Sequence, residues 1–227
     1  MKKPTILNNF LIEKIMINFW IGHTPTYEVA SKICEYSLSK QGISVKKLPL
    51  YYESNTGNPF TRTRFLTPIM DSIYSDNEWV FFSDDDFLFL KNPMDLVSKL
   101  DSSKIVYVCK HPEYLSRVDI KLDGKKQMNY PKKNWSSFMI FNKRKCNLTF
   151  EKVFTMSLKE LHQFEWCSEN KIGEIPLEWN WLVGDYEDRE DVNAFHYTLG
   201  GPWYPEPFES KLNSIWIDFQ KQFEDTQ

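Results

Sequence analysis

The sequence predicts an α/β protein built around a mostly parallel sheet, and two observations predict it. Short apolar runs alternate with amphipathic stretches in the order β-α-β-α-β over residues 15–82. The runs are almost wholly apolar, as strands covered on both faces require, where a half-exposed strand would alternate. Residues 15–21 form the first buried strand and run into a turn at Gly22 and Pro25. Over residues 26–40, Val29, Ile33, Tyr36 and Leu38 recur at roughly helical spacing, and Gly42 closes that helix. Residues 44–52 read as a second strand, followed by turn formers over 54–59. Residues 61–74 carry Phe65, Leu66, Ile69, Met70 and Ile73 on one helical face, with Pro68 inside the stretch as a break or kink. Residues 79–82 are a third buried strand that ends in Asp84, Asp85 and Asp86. Two further strands are expected at 104–109 and 137–141 and a helix at 148–164, so the second half is less regular. No repeat, low-complexity segment or linker divides the 227 residues. One domain is expected over 1–227.

Composition narrows the function. With 41% hydrophobic and 26% charged residues the chain buries a sizeable core. A net charge of −3 argues against a broad nucleic-acid footprint, so no nucleic-acid partner is expected. Gly is scarce at 8 residues, about half the ~7% usual in proteins. There is no GxGxxG, no Walker A loop and no GxSxG elbow. If the protein handles a nucleotide, something other than a glycine-rich backbone cradle neutralises the phosphates. Cys34, Cys109, Cys146 and Cys167 form no CxxC pair and read as reduced thiols. The apolar stretch after Lys2 and Lys3 is broken by Glu13 and Lys14, too early for a signal peptide or a membrane span. A cytoplasmic protein without an integral membrane segment is therefore expected. On that reading the N-x-S/T triplets at Asn134 and Asn147 are chance.

In open α/β sheets ligands bind beyond the carboxyl ends of the strands. That rule gathers the Gly22–Pro25 turn, the Asp triplet and the loop near Asn134 at one rim. In an extended segment Asp84 and Asp86 project one way and Asp85 the other. Two converging carboxylates repel unless a cation sits between them, and hard oxygen ligands favour Mg²⁺ or Mn²⁺. The alternative is a solvated acidic turn, set against Phe81, Phe82, Phe87, Leu88 and Phe89 on its flanks.

The segment from Phe81 to Phe89 resembles the DxD strand end of GT-A glycosyltransferases. Four more segments resemble family 8 and related small bacterial and phage enzymes, in the same order: Thr63 to Pro68, Tyr130 to Ser137 with Asn142, Ile175 to Gly184, and His196 to Trp203. The resemblance covers roughly residues 14–205. It implies a nucleotide-binding half at about 14–110, a sugar and acceptor half at 111–205 and a tail at 206–227. It also implies a UDP-sugar donor, UDP-glucose or UDP-galactose favoured, with Mn²⁺ or Mg²⁺ bridging the phosphates. Asp84, Asp86 and His196 would be the metal ligands. Gly22, His23, Tyr27, Arg64, Asp84, Asp85, Asn134, Trp135, Ser136 and Gly200 would line the donor, with His23 or Tyr27 stacking on the base. Asn180, Trp181 and Trp203 would line an acceptor whose identity the sequence does not carry. Plain structural roles stay open beside these: a surface helix for Arg64, turn positions for His23 and Tyr27, core packing for the tryptophans.

The sequence departs from the family in two places. The Lys before the family's final Pro-Trp is Gly201 here, which leaves Lys132 or Lys133 to reach the diphosphate. The family's Asp-Gln-Asp segment is not recognisable either. Residues 165–170 stand in its place, making Glu169 and Glu178, with Glu165 behind them, the candidate catalytic carboxylates. Retention is the favoured outcome. A haloacid-dehalogenase-like phosphatase also has a strand ending in DxD, but there it is the first strand and continues Gly-Thr. A non-catalytic nucleotide-sugar-binding module is the other alternative.

Overall fold

Burial of the apolar runs draws the chain into two sheets. The computed structural model describes residues 18–53, 59–113, 116–120, 122, 124 and 129–227. Six strands form the main sheet: β1 (Phe19–Ile21), β2 (Val45–Lys47), β3 (Trp79–Ser83), β5 (Val106–Cys109), β6 (Phe138–Asn142) and β7 (Ile172–Ile175), in the order β2-β1-β3-β6-β5-β7. Only β6 runs against its neighbours; β1 pairs parallel with β2 and β3, and β5 with β7. A smaller sheet holds β4 (Phe87–Phe89), β8 (Trp181–Leu182) and β9 (Ala194–His196), in the order β4-β9-β8.

The period-two pleat explains why the runs of β1, β3, β5 and β6 are almost wholly apolar. Phe19, Ile21, Phe81, Ile140 and Tyr107 fill the core on one face of the main sheet. Trp20, Val80, Phe82, Met139, Val106 and Val108 fill the other. From β1 the chain passes through α1 (Glu28–Ser39) to β2 on one side, and β3 then pairs on the other side of β1. The strand order therefore reverses at β1, and a crevice opens beyond the carboxyl ends of β1 and β3.

Several expected elements are shorter in the structure. The first strand starts by Phe19, and residues 15–17 lie outside the described set. The second strand covers only Val45–Lys47, and most of the 54–59 turn is outside the described residues. The expected helix 61–74 is a 3₁₀ turn (Thr63–Leu66) followed by α2 (Thr67–Asp71), with Pro68 in the first turn of α2 where its missing N–H breaks no bond. The expected helix 148–164 is two helices, α3 (Phe150–Thr155) and α4 (Leu158–His162). Met156 is extended between them, and Ser157 opens α4 by exchanging bonds with Glu160. Arg62 uses the break, donating to the carbonyls of Val153 and Met156 while pairing with Glu53. The 206–227 segment carries α5 (Asn213–Glu224), which packs Phe219 and Phe223 against Tyr36 of α1.

Candidate active site

The Asp triplet sits where the chain leaves the main sheet for the small one. Asp84 follows β3, and its N–H donates to Ser137 O at 2.8 Å. Asp86 precedes β4, which pairs antiparallel with β9 in the register Phe87↔His196. Tyr197 N–H donates to Asp86 O at 3.0 Å, and the His196 ring stacks on Phe87 with centroids 4.4 Å apart. This pairing brings together residues 110 positions apart in sequence. One oxygen each of Asp84 and Asp86 and one ring nitrogen of His196 lie within 4.8 Å of one another.

The tautomer of His196 follows from its neighbours. Asn180 is fully buried, and its Nδ2 donates to Asn134 O at 3.1 Å and Ser137 Oγ at 2.9 Å. A carbonyl only accepts, so the amide orientation is fixed and Asn180 Oδ1 faces His196 Nδ1 at 2.8 Å. Nδ1 therefore carries the proton, and the Nε2 lone pair points at Asp86 Oδ1, 3.3 Å away. Two acceptors facing each other are reconciled by a proton or a cation between them. Two carboxylates and an imidazole held by an amide fit a divalent cation. Burial raises the Asp84 carboxyl well above the ordinary range, against the pull of Arg64 and with the push of Asp86 and Asp85.

Arg64 is buried, at 4% exposure. Its Nη1 lies 2.8 Å from Asp84 Oδ1 and donates to Ser136 O at 3.0 Å, while the guanidinium lies over the rings of Phe60 and Phe82. A surface helix position is thereby excluded. Asp85 turns to the opposite side, as the pleat argument expects, and accepts from Ser31 Oγ at 2.9 Å and from Thr24. Its carboxyl is pushed up to about 6, chiefly by burial.

The other residues expected to line the donor lie in turns and loops of the fold. Gly22 N–H donates to Ser83 O, and a Cβ there would lie 2.5 Å from the Phe60 ring. His23 is partly buried, with its pKa lowered by burial and by Lys47. Tyr27 stands 4.8 Å from Tyr204, ring to ring. Asn134 adopts the left-handed conformation at φ 64°, which asparagine tolerates, and opens the 3₁₀ turn Trp135–Ser137. Trp135 Nε1 donates to His111 O at 3.0 Å, and Ser136 Oγ bonds His162 Nδ1 at 2.7 Å. Gly200, at φ +105°, has Leu122 and Tyr204 where a side chain would go.

Five residues sit elsewhere than their expected roles suggest. Asn180 is a buried support of His196 and the Asn134 loop, not an exposed wall. Trp181 is 9% exposed in the core beneath the small sheet, with its N–H spent on Glu187 O. Trp203 packs against Tyr197 and Trp216 in the same core. Glu169 is 62% exposed and paired with Lys132, while Glu178 pairs with Arg189.

Two groups that the sequence did not single out complete the geometry. His111 follows β5 at the same rim, is 4% exposed, and has Nδ1 2.8 Å from the Tyr186 hydroxyl. Burial and the nearby His196 pull its pKa down to about 3. A cavity of about 530 Å³ is lined by His111, Pro112, Glu113 and residues 129–133. Tyr130, in its wall, is 36% exposed. The cavity wall at residues 129–133 leads into the Asn134–Ser136 turn, whose Ser136 O accepts from Arg64 beside Asp84. The only advance signal for His111 was its place just after a strand end.

No family model matches the chain. It is 28% identical to Protein CDI of Arabidopsis thaliana, over 97% of this chain and 92% of that one. Among solved structures it is similar to the galactosyltransferase LgtC in complex with donor and acceptor sugar analogs, with a TM-score of 0.57 at 10% identity over 91% of this chain and 96% of that one. GlyE of Streptococcus pneumoniae TIGR4, a glycosyltransferase, gives a TM-score of 0.57 at 11% identity, over 92% of this chain and 62% of that one. The bifunctional glycosyltransferase WbbM gives 0.57 at 12%, over 95% and 52%. At such identities the likeness is one of fold, and the fold of this chain is the GT-A type.

Proposed function

We propose that the protein is a metal-dependent glycosyltransferase that moves a hexose from a UDP-sugar, UDP-glucose or UDP-galactose, to a saccharide or other hydroxyl acceptor with retention. One observation carries the reading: Asp84, Asp86 and His196 converge within 4.8 Å at the switch point of a GT-A sheet. Those three side chains would hold Mn²⁺ or Mg²⁺, which supplies the positive charge for the diphosphate and the Lewis acid that stabilises departing UDP. This answers the shortage of glycine, because a held cation replaces a backbone phosphate cradle.

The remaining chemistry belongs to the chain. Arg64, buried and already bonded to Ser136 O, presents its fork to a phosphate or a sugar hydroxyl. Asp85, through Ser31 of α1 and Thr24, ties the acidic turn to α1 and to the β1–α1 loop, where His23 and Tyr27 would meet the base. Asn134, Trp135 and Ser136 face the sugar. Transfer passes through an oxocarbenium-like state that a carboxylate stabilises, and Glu169 and Glu178 are the carboxylates proposed for it. Both are engaged in surface ion pairs, so either must exchange its partner to act.

The deciding experiment is a panel of UDP-, GDP- and CMP-sugars with Mn²⁺. We expect slow UDP release from UDP-glucose or UDP-galactose that EDTA abolishes; no nucleotide release from any donor would sink the enzyme reading. Glu169→Gln and Glu178→Gln should then differ sharply in turnover. Full activity in both would remove the pair.

A further inference from the structure

We propose that His111, held by Tyr186, is a specificity-determining residue that hydrogen-bonds a hydroxyl of the transferred sugar in the 530 Å³ cavity beside the acidic group. The inference rests on the donor reading above and goes beyond it by assigning the sugar a polar contact outside the Asn134 loop. Three observations carry it. First, the cavity wall at residues 129–133 runs directly into the Asn134–Ser136 turn, where Arg64 meets both Ser136 O and Asp84. A sugar carried on a diphosphate at the acidic group would reach this space past that turn. Second, His111 Nε2 is buried and has no hydrogen-bond partner among the described residues, while Nδ1 is taken by the Tyr186 hydroxyl. Buried polar atoms find partners, so an orphan in a cavity wall marks the place of a ligand atom. Third, the ring is clamped: Tyr186 fixes it from one side, and the His111 carbonyl accepts from Trp135 Nε1 of the sugar loop.

The phenol also sets what Nε2 can offer. If the Tyr186 hydroxyl donates to Nδ1, Nε2 carries the hydrogen; if it accepts, Nε2 is the acceptor. In either state the ring offers one directed bond of fixed polarity. Its depressed pKa keeps it neutral, suiting it to a hydroxyl and not to proton transfer. Removing one partner of such a bond discriminates between ligands that present the hydroxyl and ligands that do not.

The test separates the sugar from the nucleotide. Calorimetry with Mn²⁺ measures Kd for UDP, UDP-glucose and UDP-galactose on wild type, His111→Phe and Tyr186→Phe, with thermal melts as a fold check. We expect UDP to bind all three proteins within about twofold. The better UDP-hexose should weaken about tenfold in His111→Phe and less in Tyr186→Phe, with the glucose-to-galactose preference narrowed. An unchanged UDP-hexose Kd in His111→Phe, or equal weakening of UDP and UDP-hexose, overturns the proposal. If His111→Phe fails to fold, Tyr186→Phe is judged by the same two criteria. Failure of wild type to bind UDP with Mn²⁺ has a different signature and overturns the donor reading itself.

Discussion

The half of the chain before residue 110 and the half after it supply the same site by different physics. In the first, Asp84 and Asp86 are placed by a strand whose five residues, Trp79 to Ser83, are all buried, with the last three paired on both sides. Apolar burial positions the carboxylates, and the backbone carries the precision. In the second, His196 lies on a three-residue strand of a small sheet, and its ring is aimed by the Asn180 amide, itself bonded to Asn134 and Ser137. There directed polar bonds carry the precision. The difference teaches where each half is vulnerable: to lost charge at the strand end, and to lost hydrogen bonds around the histidine.

The largest effect should come from breaking the first half at its tip. Asp86→Asn keeps the volume and the backbone but removes a charge from the acidic group. We expect turnover to fall about a thousandfold, the scale of several kcal/mol of charge stabilisation, with the melting temperature held. Metal-dependent UDP binding by calorimetry checks it, and unchanged affinity would remove the DxD assignment. Next comes the second half. Asn180→Leu leaves His196 Nδ1–H, Asn134 O and Ser137 Oγ without their shared partner. An outer-shell loss of this kind costs about 10–100-fold in metal affinity or activity. Mn²⁺ titration of the variant measures it; wild-type affinity would mean that the ring is aimed by Phe87 stacking alone.

The same contrast explains what could be read in advance. Strands β1, β3, β5 and β6, the crossover through α1 and the acidic turn were legible because apolar runs and their punctuation are local signals. Helix breaks were not: Met156 leaves the helical region because Ser157 and Glu160 cap a new helix and Arg62 takes the freed carbonyls, and a face-periodicity argument does not see that competition. The pairing of β4 with β9 was illegible because both are three-residue strands with no period to read. Asn180 and Trp181 illustrate the limit for single residues. Motif position points both to an acceptor wall, yet the amide is buried behind the histidine and the indole in the core, since abundant aromatics fill the space beneath the small sheet. His111 and Tyr186 lie 75 positions apart, and only the fold brings them together.

The smallest expected effect tests whether the two kinds of placement are separable. Gly22→Ala adds a methyl whose carbon would start 2.5 Å from the ring of Phe60, which is 1% exposed and carries the Arg64 guanidinium on its face. The ring must yield, an overpacking that costs about 1–3 kcal/mol, or a melting temperature lower by roughly 2–10 °C for a chain of this size. The strand register that carries Asp84 is secured by backbone bonds on both sides of β3, and Asn180 is bonded elsewhere, so the acidic group should keep its geometry. We therefore expect Gly22→Ala to melt early while its Mn²⁺ affinity stays within about threefold of wild type, the reverse of Asn180→Leu. If the alanine instead lowers metal affinity as far as the leucine does, strain at β1 reaches the ligands through Phe60 and Arg64. The site would then depend on one packed unit instead of two separately built halves.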